Sequence, residues 1–286
     1  MLDVLADKRV LITGGAGGVG RAVARQMVEA GARVLIADRD ELELRALLDA
    51  LRSEDADIVT ADLSNPTGVA RMFERVDGWL GGLDMLIACA GVGSGPLLEM
   101  DDPGWRYVIE SNLSSYVACT KGAIDRIKEG GRPGGLIVLI GSISVHIKAV
   151  GESVYNAAKG GVASFAETLR KELIPEGIRL TLIEPGAIAS AMQPFSPEER
   201  ARMVETIGEA GDLETLRRHG LLVLAPADEV RNLELRDELR VRIALQVLEV
   251  VDLVQDRRVA HRDRARDIEA RELRLLRDAR RMRPRL

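Results

Sequence analysis

The sequence predicts an α/β fold: a doubly wound parallel sheet flanked by helices on both faces. Three observations carry this. Short apolar runs alternate with longer segments whose apolar residues recur at helical spacing. The runs are continuously apolar, as in strands buried on both faces, rather than alternating with polar residues. The 286 residues are 46% hydrophobic and 30% charged, enough for one large domain with its own core.

The elements follow in order. Residues 9–13 (RVLIT) form a buried strand that runs into a glycine cluster, and 19–30 (VGRAVARQMVEA) form a helix stopped by Gly31. Residues 33–37 (RVLIA) are the second strand. A helix over 41–53, a strand over 57–61, a helix over 66–80 and a strand over 83–88 come next. One long helix follows Pro103, then a strand at 135–140 (GLIVLI), a helix at 153–174 and a strand at 178–184. This β-then-α order is that of a parallel sheet with crossover helices. The pattern stops near residue 225. Beyond it there is no glycine after Gly220, no lysine after Lys171 and no aromatic residue after Phe195. We therefore divide the chain into a domain over 1–225 and an atypical charged, Arg-rich and helical C-terminal extension over 226–286. Three readings of the extension stand: a helical addition that aids assembly, a diverged last strand around 239–248 followed by a surface helix, or translation out of frame from GC-rich DNA.

Composition excludes several classes. Net charge is −5, and it is uneven: residues 226–286 carry 16 Arg against 13 acids, and the acidic excess lies in 1–225. An acidic body repels a phosphate backbone, so no nucleic-acid partner is expected. The two cysteines, Cys89 and Cys119, are too few for a disulfide framework. The three histidines share no ligand spacing, so no metal is expected. No apolar stretch is long enough to span a membrane, and Asp3 and Asp7 stand where a signal peptide would be basic and apolar. A cytoplasmic protein is expected.

The chemistry begins at Thr13-Gly14-Gly15-Ala16-Gly17-Gly18-Val19-Gly20, between a strand and a helix. Glycines let a pyrophosphate approach the backbone, and the helix N-terminus supplies free N–H groups and partial positive charge. Asp38 ends the second strand, where a carboxylate accepts both ribose hydroxyls of an adenosine and repels a 2′-phosphate. The next residue, Arg39, would pair with that phosphate instead. NAD is thus favoured over NADP, with NADP left open. Asp62, followed by Leu63 beyond the third strand, is either an adenine contact or a turn residue.

Tyr155 and Lys159 are four apart on a helix and project from one face. Ser142 precedes Tyr155 by thirteen residues, and Asn112 sits on the preceding long helix. A free tyrosine titrates near about 10 and is a poor base at neutral pH, but a nearby ammonium favours its phenolate. A serine hydroxyl holds a substrate oxygen. Together these suit proton exchange with a carbinol while hydride moves to or from a nicotinamide.

Thr13-Gly14, Gly18-Val19-Gly20, Asn112, Ser142, Tyr155-Asn156-Ala157-Ala158-Lys159 and Pro185-Gly186 together resemble the short-chain dehydrogenase/reductase family, over residues 5–195. The resemblance implies a Rossmann-like domain with a seven-stranded sheet. It implies Tyr155 as acid/base, and Lys159 as the cation that lowers its pKa and holds the nicotinamide ribose. Ser142 would orient the substrate oxygen, and Asn112 would position a water in a proton relay. The backbone at Pro185, Gly186 and Ile188 would bind the carboxamide, with Ser190 where a threonine often sits. The family usually shows Asn-Asn-Ala-Gly after the fourth strand. Here Ala88-Cys89-Ala90-Gly91 stands instead, leaving Ala90 and Gly91 to serve the cofactor through their backbone. The glycine spacing alone fits two branches, and the serine–tyrosine separation selects the shorter one.

The expected activity is NAD(P)-dependent interconversion of a secondary alcohol and a ketone or aldehyde. The alternatives are a non-catalytic dinucleotide-binding regulatory or scaffold protein and, on glycine spacing alone, a sugar-nucleotide epimerase. Residues 143–152 and 187–205, with His146, Glu152, Met192 and Phe195, are either substrate wall or ordinary loop. The resemblance implies a homodimer or homotetramer. Leu113, Tyr116, Val117, Val162 and Phe165 belong either to its helix-bundle interface or to the core.

Overall fold

The computed structural model of the chain describes residues 5–148 and 150–185. The elements run β1 (Arg9–Thr13), α1 (Gly18–Glu29), β2 (Arg33–Asp38), α2 (Glu41–Leu51), β3 (Ala56–Thr60), α3 (Pro66–Arg75), β4 (Met85–Ala88), α4 (Asp102–Ile109), α5 (Ser115–Glu129), β5 (Gly135–Ile140), α6 (Ser144–Ile147), α7 (Ser153–Leu173) and β6 (Ile178–Ile183). The resemblance implied seven strands; six lie among the described residues. The 226–286 extension lies outside them.

The six strands form one parallel sheet in the order β3-β2-β1-β4-β5-β6. This is the Rossmann-like doubly wound arrangement expected from the apolar runs. Every residue of β1, β4 and β5 is buried, which explains why these runs lack alternation. Leu11, Leu35, Leu86, Ile137 and Leu139 pack with Met72 and Phe73 of α3, Tyr116 and Ala123 of α5 and Val162 and Ala166 of α7. Val10, Ile12, Ile36 and Ile87, one register step away, are buried outside that cluster, as are Val23 and Met27 of α1 and Leu44 and Leu47 of α2. The sheet therefore carries helices on two faces. Strand order reverses direction between β1 and β4, and the crevice beyond their C-terminal ends is where open α/β sheets bind ligands.

Local chemistry sets the helix starts. Asp40 caps α2 through the N–H of Glu43, Asn65 caps α3 through Gly68, and Asp101 caps α4 through Gly104. Pro66 and Pro103 stand in the first turns of α3 and α4, where a missing N–H costs nothing.

Two helices expected as unbroken differ in detail. The helix over 66–80 is α3 followed by a π-helical turn at Val76–Leu80. The helix after Pro103 is α4, a π-helical turn at Glu110–Ser114, then α5. The fourth strand begins at Met85 rather than residue 83. Asp84 is held outside it by Arg9, whose backbone N–H and guanidinium both bond to the Asp84 carboxylate at 2.9 Å, with Arg132 adding a bond at 2.8 Å. Burial alone would raise the Asp84 pKa, but the hydrogen bonds from Arg9 and the charges of Arg9 and Arg132 hold it below the usual carboxylate range.

Candidate active site

A cleft of about 930 Å³ opens at the C-terminal ends of the strands. Its floor is the glycine turn. Gly14 has φ +69°, and a Cβ there would lie 2.6 Å from the Ala90 backbone; a Cβ on Gly20 would lie 2.3 Å from the Gly14 carbonyl oxygen. Only glycine fits either place. The turn leads into α1, whose N-terminus at Gly17 carries no side-chain cap. Its first N–H groups thus lie beside a cradle without side chains, a donor set that fits a pyrophosphate. Gly14, Gly18, Val19 and Gly20 all line the cleft. Thr13 lies beneath, buried, and its hydroxyl accepts the N–H of Ala90 at 3.4 Å, tying the turn to the segment after β4. Ala90 and Gly91 form the adjoining wall.

Asp38 stands at one rim. Its carboxylate accepts the N–H groups of Ala16 at 3.0 Å and Asp40 at 3.1 Å. Arg39 also lines the cleft, but its guanidinium bonds to the Tyr107 hydroxyl on α4 and lies 5.5 Å from the centre of that ring. Arg21 is paired with Glu43. Leu63 lines the cleft, whereas Asp62 is exposed and accepts the N–H of Ser64, as a turn residue does.

The opposite end is built from β5, the loop after it and α7. Ser142, Tyr155 and Lys159 line the cleft together, with Glu152 and Pro185 beside them. The Ser142 oxygen accepts the N–H of Ser144 at 3.2 Å, which fixes its position as the chain turns into α6. Burial pushes the Tyr155 phenol above its ordinary pKa; the hydroxyl of Ser142 opposes this and the charge of Glu152 adds to it. Lys159 is almost wholly buried, and burial brings its ammonium down to about 7, with Cys89 opposing. Its Nζ donates to the Tyr116 hydroxyl at 3.0 Å and to the Ile140 carbonyl at 2.9 Å. It lies 6.0 Å from the centre of the Tyr155 ring.

Asn112 occupies the π-helical turn between α4 and α5 and is fully buried behind the cleft wall. Its Nδ2 donates to the carbonyls of Val92 and Val108 at 2.9 Å, and its Oδ1 accepts the Val92 N–H at 3.2 Å. The side-chain amide thus clamps the segment after β4 to the helix. Such turns place a residue where regular helix would not.

Of the interface candidates, Tyr116 and Val162 are core residues, and Leu113 and Phe165 pack against that core; Val117 is exposed. Tyr116 also touches the site from the core side, its hydroxyl accepting from the Lys159 ammonium. His146 is exposed and faces Glu184 at 3.2 Å rather than the cleft. Tyr107, Ser94 and Ser111 line the cleft and had no sequence signal, whereas Ser144, also in its wall, belongs to the 143–152 stretch named from the sequence; the three serine hydroxyls are buried without a protein partner. Gly186, Ile188, Ser190, Met192 and Phe195 lie outside the described residues. Among the described residues, no cluster of three or more His, Cys, Asp or Glu is placed to hold a metal, and no helix is long and apolar enough to cross a membrane.

Comparison with known proteins bears on the family and the fold. The family model described as short chain dehydrogenase matches residues 8–201. The chain is 33% identical over 214 residues to 3beta-hydroxysteroid dehydrogenase 2 of Eggerthella lenta, covering 73% of this chain and 82% of the relative. It is 35% identical over 192 residues to cis-4-hydroxycyclohexanecarboxylate dehydrogenase of Sinomonas cyclohexanicum, covering 65% and 75%. A solved short-chain type dehydrogenase/reductase from Mycobacterium ulcerans superposes with a TM-score of 0.63 at 27% identity, covering 70% of this chain and 76% of that one.

Proposed function

The chain belongs to the short-chain dehydrogenase/reductase family of oxidoreductases, and from that premise we propose that it interconverts a secondary alcohol and a ketone or aldehyde, with NAD as the favoured dinucleotide. The observation that carries this reading is the placement of Ser142, Tyr155 and Lys159 at one end of a cleft whose other end holds the glycine turn and Asp38.

The residues present fit a dinucleotide. The glycine turn and the start of α1 would hold its pyrophosphate, and Asp38 its adenosine ribose. Lys159 would hold the nicotinamide ribose. When bound, the nicotinamide supplies hydride acceptance and donation at the carbinol carbon. The chain supplies the rest. Ser142 holds the substrate oxygen by hydrogen bonding. Tyr155 takes the carbinol proton in the oxidative direction and returns it in the reductive one. Its buried phenol holds its proton too tightly to act alone, so positive charge close by is required. Lys159 is the chain's own source of that charge. Asp38 supports NAD because its carboxylate repels a 2′-phosphate at the rim, while Arg39 is already bonded to Tyr107.

The test is a paired fluorescence titration with NADH and NADPH, followed by turnover with a panel of cyclic and acyclic secondary alcohols. Tight NADH binding with hydride transfer is expected. Binding without any turnover would favour the non-catalytic dinucleotide-binding reading, and binding of neither nucleotide would overturn both.

A further inference from the structure

The catalytic end of the cleft holds a charged side chain that proton exchange does not use. Glu152, partly buried, lines the cleft beside Ser142, Tyr155 and Lys159. It stands at the start of α7, three residues before Tyr155, a spacing that makes the two side chains neighbours. We propose that Glu152 sets the charge of the substrate: its carboxylate faces the group next to the reacting carbinol, favours an ammonium or a hydroxyl there and disfavours a carboxylate. This rests on the reading of Ser142, Tyr155 and Lys159 as the site of the carbinol.

Three observations support it. The first is that the carboxylate is uncommitted. Glu152 is the N-cap residue of α7, and its backbone carbonyl accepts the Asn156 N–H at 2.7 Å. Side chains that cap helices are those of Ser, Thr, Asp and Asn, and the Glu152 carboxylate caps nothing. Among the described residues it has no hydrogen-bond or ion-pair partner. Other acids of the cleft wall are spent: Glu43 pairs with Arg21, and Asp38 accepts two N–H groups.

The second is the charge of this end of the cleft. Lys159 is bonded to Tyr116 and Ile140 and makes no ion pair with Glu152. Cys89 lines the same wall, but burial pushes its thiol up to about 12, so it carries no charge near neutrality. His146 and Glu184 face each other outside the cleft. A negative group is therefore left facing the substrate, in a partly buried place where its field is less screened than in water.

The third is a cost. The charge of Glu152 pushes the Tyr155 phenol further above its ordinary pKa, against what proton abstraction needs. A neutral side chain would suit the acid–base chemistry better. A substrate ammonium or hydroxyl that binds Glu152 offsets this effect, so the right substrate itself eases ionisation of Tyr155. An anionic substrate adds to it and is penalised both in binding and in turnover.

The experiment compares the full chain with Glu152→Gln, which keeps the shape and removes the charge. The probes are three cyclohexanols that differ only in the group on the neighbouring ring carbon: an ammonium, a hydroxyl or a carboxylate. With NAD and the unmodified protein, kcat/KM should be highest for the ammonium and lowest for the carboxylate. In Glu152→Gln it should fall about tenfold for the ammonium and rise about tenfold for the carboxylate. A role in folding alone would move all three the same way; that result, or an unchanged order, overturns the proposal. A second readout involves no turnover: the three alcohols are titrated into the complex with NADH and followed by nicotinamide fluorescence. Their affinities should rank in the same order, and the ranking should collapse in Glu152→Gln; a ranking that survives in the variant overturns the proposal. If none of the three binds or reacts while other secondary alcohols are oxidised, the proposal falls and the functional reading stands. If the ranking behaves as expected but no secondary alcohol is oxidised, selection by Glu152 stands and the functional reading falls.

Discussion

Asp38, the last residue of β2, accepts the backbone N–H of Ala16 in the glycine turn at 3.0 Å. The acid and the turn are thereby one unit, and the carboxylate keeps lone pairs free at the rim of the cleft. Asp38→Ala should weaken NADH binding by about tenfold or more, the effect of losing one or two charge-assisted hydrogen bonds. It should also strengthen NADPH binding, because the repulsion of a 2′-phosphate disappears. Fluorescence titration with both nucleotides checks this; an unchanged preference would remove Asp38 as the discriminator.

Tyr155→Phe removes only the phenol oxygen. Turnover should drop by roughly 10²- to 10⁴-fold, the range for a general acid–base group. NADH affinity should stay within about twofold. Steady-state kinetics and a binding titration on the same preparation separate the two effects.

Lys159 places a cost on the fold that depends on pH. Its folded pKa of about 7 lies below the ordinary 10.5 because of burial. Between those values the unfolded chain binds more protons than the folded one, so stability rises with pH across this window. Its contribution is complete above about 10.5 and lost as pH falls through about 7. Lys159→Met should therefore raise Tm most at pH 6, by a margin that shrinks steadily towards pH 10. Thermal melts across that range test it; a margin independent of pH would mean that the lysine is charged in the fold throughout.

Asp84 works in the other sense. Its folded pKa lies below the ordinary 3.8 because the hydrogen bonds of Arg9 and the charges of Arg9 and Arg132 outweigh burial. Its stabilisation is present above that value and lost as pH falls through the folded one. Asp84→Asn should cost about 3 kcal/mol at pH 7, since it leaves the Arg9 guanidinium buried without its counter-charge. Urea melts at pH 7 and pH 3 should show the loss shrinking at the lower pH.

The sheet was legible because its strands are buried on both faces, so the sequence needs no alternation to be decoded: RVLIT, RVLIA and GLIVLI are each recognisable alone. The glycine turn and the Tyr155–Lys159 pair were legible because each lies within one short segment. What escaped depends on partners distant in sequence. Arg9 and Asp84 are 75 residues apart, and nothing near either announces the other. Tyr116 faces Lys159 across 43 residues, so its apolar body fitted an interface as well as a core. Residues 110–114 (ESNLS) carry no mark that separates a π turn from regular helix, because the difference lies in how the segment meets α7 and the loop after β4. The four-residue α6 is too short to show a period.

That π turn holds one residue more than an α-helical turn of the same sweep. Each residue of an α-helix advances it by about 100°, and the wider turn takes up the extra residue while α4 and α5 keep their phase. Deleting a single codon in 110–114 would let α4 and α5 join as one regular helix, with Tyr116, Cys119 and Ala123 still facing the core. What such a deletion removes is the local widening that carries Asn112 and its bonds to Val92. Length in this stretch is thus a matter of the cleft wall, not of how the rest of α5 meets the sheet.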